Sequence, residues 1–211
     1  SPSGCYRPRS VTADDDGNVY FVTYGSSNAR LYKLAYNSGS DSYSYAWMKT
    51  GGSGYPLYYA MGVAYDNVND EVLVSAGYIY VQYMYVSRWD PDGNYEGKWA
   101  SKIPTCASNY CRPMGIDTAV VSGSTHVFIA YYSFNNILAN RGRIVEYSSS
   151  GTSLNSYYAD SLGAYAESLG YHYRYHYDVA TDGTNIFFGP YYGYYGGYAR
   201  SEAQLYTGFL R

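Results

Sequence analysis

Gly62-Val-Ala-Tyr-Asp66, followed by Asn69-Asp-Glu-Val-Leu-Val74, is a short run of small and apolar residues, a turn, and a β-branched run. The same pattern recurs along the chain. Ser10-Val-Thr-Ala-Asp14 precedes Gly17-Asn-Val-Tyr-Phe-Val22. Gly115-Ile-Asp-Thr-Ala119 precedes Thr125-His-Val-Phe-Ile-Ala130. Asp178-Val-Ala-Thr-Asp182 precedes Gly183-Thr-Asn-Ile-Phe-Phe188. The starts lie 52, 53 and 63 residues apart. Each copy reads as a β-hairpin, because Asp, Asn and Gly supply the turn and β-branched or aromatic residues the second strand.

A third strand follows in each copy: Arg30-Leu-Tyr-Lys-Leu34, Tyr85-Val-Ser-Arg-Trp89, Arg143-Ile-Val-Glu-Tyr147 and Gln204-Leu-Tyr-Thr-Gly208. Leu31, Val86, Ile144 and Leu205 take one apolar position. Lys33, Arg88, Glu146 and Thr207 take the polar position two residues on, and Leu34, Trp89 and Tyr147 the next apolar one. Three copies continue through Asn37-Ser-Gly, Pro91-Asp-Gly and Ser149-Ser-Gly into fourth strands near 42–48, 94–99 and 153–158. Four antiparallel strands, repeated at this period, predict an all-β propeller of four-stranded blades. The expected single domain spans 1–211, with units at about 8–50, 59–104, 112–160 and 175–211. Gly62, Ala64, Gly115 and Ala180 suit crowded inner strands. The only helical signal is one turn over Tyr165–Leu169.

The units resemble NHL-type propeller repeats. Pro8, Val11, Asp14, Gly17-Asn-Val-Tyr20 and Arg30-Leu31 carry the likeness in the first copy, and Pro113-Met-Gly115-Ile116 with Arg143-Ile144 in the third. The second copy matches at Gly62–Asp66 without the proline, and the fourth diverges most. The resemblance implies five or six blades where this chain supplies four. A compact four-bladed ring, a fragment, or a ring completed by another chain would account for the difference. The fourth copy reaches Arg211 without a fourth strand. We expect Ser1–Arg7 to close it internally, although a neighbouring subunit's strand would fit the same edge.

Composition narrows the function classes. Fourteen Lys and Arg against 17 Asp and Glu give a net charge of −3, which argues against nucleic acid as partner. No apolar run approaches the ~18 residues of a membrane span. Charged residues make up 15% of the chain, and lysine occurs only at positions 33, 49, 98 and 102. The remaining polarity is Ser, Asn, Gly and Thr, a composition that predicts a secreted or surface-exposed protein. The chain starts at Ser1 without a signal-like segment and reads as a mature product or excised domain. Cys106 and Cys111 bracket a short loop, and a disulfide is expected there in an oxidising compartment, leaving Cys5 spare. No Asn-x-Ser/Thr acceptor occurs.

Thirty-three residues are tyrosine, too many for the core of a chain of 211. Gly189–Tyr198 is a Gly/Tyr tract. We assign an aromatic binding surface to Tyr191, Tyr192, Tyr194, Tyr195 and Tyr198, with Tyr78, Tyr80, Tyr131 and Tyr132. The expected role is non-catalytic: assembly or adhesion, as the repeating subunit of a filament or surface layer. The expected partner is the chain itself, as homo-oligomer or polymer, or a cell-surface glycan or protein. A lectin-like glycan-binding module is the alternative, and a lyase or hydrolase of the NHL-like kind a further one, with a site near His172 and His176. One metal cannot bridge those two histidines in a strand, because i and i+4 lie roughly 13 Å apart. Asp14-Asp-Asp-Gly-Asn18 and Asp90-Pro-Asp-Gly-Asn94 lack the twelfth-position Glu of a calcium loop and read as turns. No catalytic residue, metal or cofactor is assigned.

Overall fold

The computed structural model describes residues 7–25, 28–51, 57–77, 84–99, 111–133, 143–158 and 175–191. They form fourteen strands and no helix. The first unit is β1 (Pro8–Ala13), β2 (Val19–Thr23), β3 (Arg30–Asn37) and β4 (Ser42–Thr50); the second is β5 (Ala60–Asp66), β6 (Glu71–Gly77), β7 (Met84–Trp89) and β8 (Tyr95–Lys98). The third is β9 (Cys111–Val121), β10 (Ser124–Ser133), β11 (Arg143–Ser148) and β12 (Ser153–Tyr158). β13 (Tyr175–Thr181) and β14 (Ile186–Tyr191) begin the fourth. Units one and two are antiparallel meanders in chain order. In the third, β9 and β11 flank β10, and a single pair, Tyr132 with Tyr175, joins β10 to β13. Tyr165–Leu169 lies outside the described residues. No helix among those described is long and apolar enough to cross a membrane.

The units stack through their faces. Strand side chains alternate, so each inner strand sends one set toward the preceding unit and one toward the following unit. Tyr20, Val22 and Leu31 of the first unit pack on Val63, Val72, Val74 and Trp89 of the second. Leu73, Val86 and Trp99 of the second pack on Ile116, Val127, Ile129 and Tyr147 of the third. Phe128, Ala130 and Ile144 then meet Val179 and Ile186 of the fourth. The core is therefore three consecutive seams. The third-strand position holding Leu31, Val86 and Ile144 is buried each time, as the repeat predicts.

The second strands follow a different alignment from the one the sequence suggests. Written in line, the copies end at Val22, Val74, Ala130 and Phe188. The inner-strand residues Val11, Val63, Ile116 and Val179 instead pair with Phe21, Val74, Ile129 and Phe188. Copies one and three are thus slipped by one residue, because the hairpin turns differ in length. Such a slip exchanges the two faces of a strand.

A repeated latch ties the outer strands. Trp47 Nε1 donates to the carbonyl of Pro91 in the next unit's turn at 3.0 Å. Trp99 Nε1 donates to that of Ser149 at 3.0 Å, one unit on. Gly93 and Gly151, with φ of +81° and +85°, lie against these indoles, where a Cβ would meet the ring.

Candidate functional site

Where the inner strands β1, β5, β9 and β13 run side by side, small residues let them approach. A Cβ on Gly62 would lie 2.8 Å from Ile116 Cγ2, and one on Gly115 would collide with the Asp178 carboxylate. Polar links step from strand to strand: Val63 N donates to Ser10 Oγ at 3.2 Å, and Thr118 Oγ1 to the Tyr65 carbonyl at 2.6 Å. At the third step the link is ionisable, with Thr181 N donating to Asp117 Oδ2 at 2.7 Å.

This step brings together two carboxylates, Asp117 on β9 and Asp178 on β13. Burial is the main cause that raises Asp117 above the usual carboxylate range. The Asp178 charge adds to it, against hydrogen bonds from the Thr118 and Thr181 amides. Asp178 is exposed on one side and desolvated on the other against β9. Its pKa is raised by that desolvation, against one hydrogen bond from Val179 N. Desolvation favours the protonated form of each carboxylate. Carboxylates shifted in this direction are candidates for general acid–base chemistry.

A second ionisable cluster lies in the seam toward the fourth unit. Glu146 is buried on β11. It takes His126 Nδ1 at 2.5 Å, Asn155 Nδ2 at 2.7 Å and the Tyr157 hydroxyl at 2.7 Å. Burial opposes its charge, but these three hydrogen bonds together hold its pKa below the usual value. The same carboxylate drives the Tyr157 phenol upward, after burial as the larger cause. The hydrogen bonds thus favour the ionised form of Glu146, and its contact with Nδ1 orients His126.

The sequence-assigned residues fare differently. Tyr131 is fully buried, its hydroxyl 2.9 Å from that of Tyr147, so it belongs to a seam and not to an exposed aromatic surface. Tyr132 and Tyr191 lie in β10 and β14. Tyr78, Tyr80, Tyr192, Tyr194, Tyr195, Tyr198, His172, Cys5 and Cys106 lie outside the described residues. Cys111 starts β9 and His176 lies in β13. The Asp turns are closed by asparagine: Asn18 and Asn94 each put a backbone amide on one oxygen of Asp14 and Asp90 and a side-chain amide on the other. Among the described residues no three His, Cys, Asp or Glu side chains gather as metal ligands.

Asp117 and Asp178 escaped the sequence reading although both stand inside the quoted repeats. Asp117 occupies the position of Thr12, Ala64 and Ala180, and Asp178 that of Ser10, Gly62 and Gly115. A carboxylate at a position otherwise held by small residues was the available signal.

No protein-family model matches the chain, and no curated protein is similar to it at sequence level. Solved structures are similar in fold. Virginiamycin B lyase from Staphylococcus aureus superposes with a TM-score of 0.52 at 16% identity, over 89% of this chain and 50% of the lyase. A gluconolactonase from Xanthomonas campestris gives 0.53 at 11% identity, over 89% of this chain and 56% of the lactonase. The chain therefore spans about half the length of these structures. With the meander units they make the architecture a β-propeller. They also correct the expectation of a non-enzymatic structural module. The fold shared by this chain is one that a lyase and a lactonase use, so the lack of a familiar catalytic motif does not mark the chain as structural.

Proposed function

We propose that the chain is the catalytic part of a propeller enzyme of the lyase or hydrolase type, with Asp117 and Asp178 as its acid–base pair. The observation that carries this reading is two carboxylates on adjacent inner strands, both desolvated and one still open to solvent. In a lyase or lactone-opening reaction, one group removes a proton while the other protonates the leaving oxygen. The lyase and lactonase similar in fold support the class; the substrate is proposed only as an ester or lactone. The Pro8–Tyr20 and Pro113–Ile116 motifs favour an NHL-like origin of the units. The Lys-poor, Ser- and Asn-rich composition favours a place outside the cell.

The test is turnover of virginiamycin B and glucono-lactone, with a panel of simple lactones, followed by mass spectrometry. Asp117→Asn and Asp178→Asn are each expected to lower kcat/KM about 100-fold or more while the circular dichroism stays unchanged. Substrate loss that persists undiminished in the double variant, or turnover of no panel member by the native chain, would overturn the assignment.

A further inference from the structure

Residues at one repeat position should share one environment if every unit has a neighbour on each side. Val63, Ile116 and Val179 hold one inner-strand position and pack on the preceding unit, at 2%, 4% and 4% exposed. Their counterpart in the first unit, Val11, is 66% exposed. The deficit runs across all four strands of that unit. Val19, Phe21 and Leu34 are half-buried, where Val72, Val74 and Trp89 are sealed in the second unit and Val127, Ile129 and Tyr147 in the third. Tyr45 pairs with Leu34 as Tyr95 pairs with Trp89. Tyr95 packs against the first seam, whereas Tyr45 is 56% exposed and Tyr43, two residues before it, 55%.

The first unit therefore turns one apolar face to solvent, from Val11 on β1 to Tyr43 and Tyr45 on β4. Strands β1 to β4 contain no Asp or Glu. Both lysines reach the other way: Lys33 Nζ donates to the Pro91 carbonyl of the second unit at 3.1 Å, and Lys49 lies against Gly93 there. Arg9 and Arg30 stand at one end of their strands, which leaves the centre of the face uncharged. The strand spacing and the exposed rings give this face roughly 500–600 Å² per copy. A contiguous apolar patch of that size is at the upper end for a monomer. Two such faces together bury about 1,100 Å², just above the ~1,000 Å² that a specific interface must clear.

We propose that this face docks the same face of a second copy, forming an isologous twofold dimer. A sheet with one apolar face is stable when a second sheet covers it, and an uncharged face meets its own copy without like-charge repulsion. The twofold contact closes after two copies. It leaves the fourth unit, where Asp178 is open to solvent, uncovered. The inference rests on burial at repeat positions and is independent of the chemistry proposed for Asp117 and Asp178.

Size-exclusion chromatography with light scattering on the 211-residue chain, at about 100 μM, tests it. The expected mass is twice that of the 23.6 kDa chain. Val11→Asp and Tyr45→Asp should each raise the dimer dissociation constant at least tenfold with an unchanged circular dichroism spectrum. Leu154→Asp and Ala180→Asp, at exposed apolar residues of the third and fourth units, should leave the dimer intact. A monomeric native chain, a polymer that grows with concentration, a dimer insensitive to either first-unit variant, or a dimer lost in Ala180→Asp would each overturn the proposal.

Discussion

Asp117 shows how a single residue departs from its repeat. The position is threonine or alanine in the other units, and a carboxylate there pays desolvation that two backbone amides only partly offset. Its folded pKa is raised, so the stability it contributes is full below about pH 4 and is lost as pH rises through the folded value. Asparagine retains an oxygen to accept the Thr181 amide and carries no charge. Asp117→Asn is therefore expected to raise Tm by a few degrees at pH 7 and to leave it unchanged below about pH 4, by scanning calorimetry. An increase equal at both pH values would show that charge is not the cause. The tyrosines likewise have specific work: Tyr20 stacks on Tyr65 across the first seam with ring centroids 5.4 Å apart, and Tyr131 meets Tyr147 across the strands of the third unit. Their number suggested an adhesive exterior, but a ring that fills a seam and a hydroxyl that finds a partner suit the inside equally well.

At the scale of the element, the turns carry information that the strands do not. Gly151 and Gly123 both have positive φ, +85° and +81°, but a Cβ on Gly151 would lie 2.6 Å from Trp99 whereas one on Gly123 meets nothing within 4 Å. Gly123→Ala should cost about 1 kcal/mol from backbone strain alone, and Gly151→Ala at least twice that in urea unfolding, because it also displaces the indole latch. Equal costs would mean that the latch contributes nothing. The existence and order of the strands were legible from β-branched runs and Asp/Asn/Gly turns. Register was not, since Val22 and Ala130 take other pairing positions than a straight alignment assigns, and turn length is set by side-chain bonds such as those of Asp66 to Val68 N and Asn69 N.

For the whole molecule, coverage of both faces should set the hierarchy of local stability. β5 and β6 have neighbours on both sides and are buried nearly throughout, while β1 is exposed along one face. Hydrogen exchange is expected to be slowest in β5, β6 and β10 and faster by orders of magnitude in β1 and β13. Uniform protection across all four inner strands would overturn this hierarchy.

The amino-acid sequence by itself determined the repeat, the all-β class and the meander within each unit, because these follow from local turn chemistry and alternation along a few residues. Only the tertiary structure decided which face each side chain takes, that Tyr131 is sealed, and that Asp117 and Asp178 meet. Those outcomes depend on residues more than forty positions apart being pressed together at a seam, and desolvation, which sets both burial and pKa, exists only once the neighbouring unit is in place.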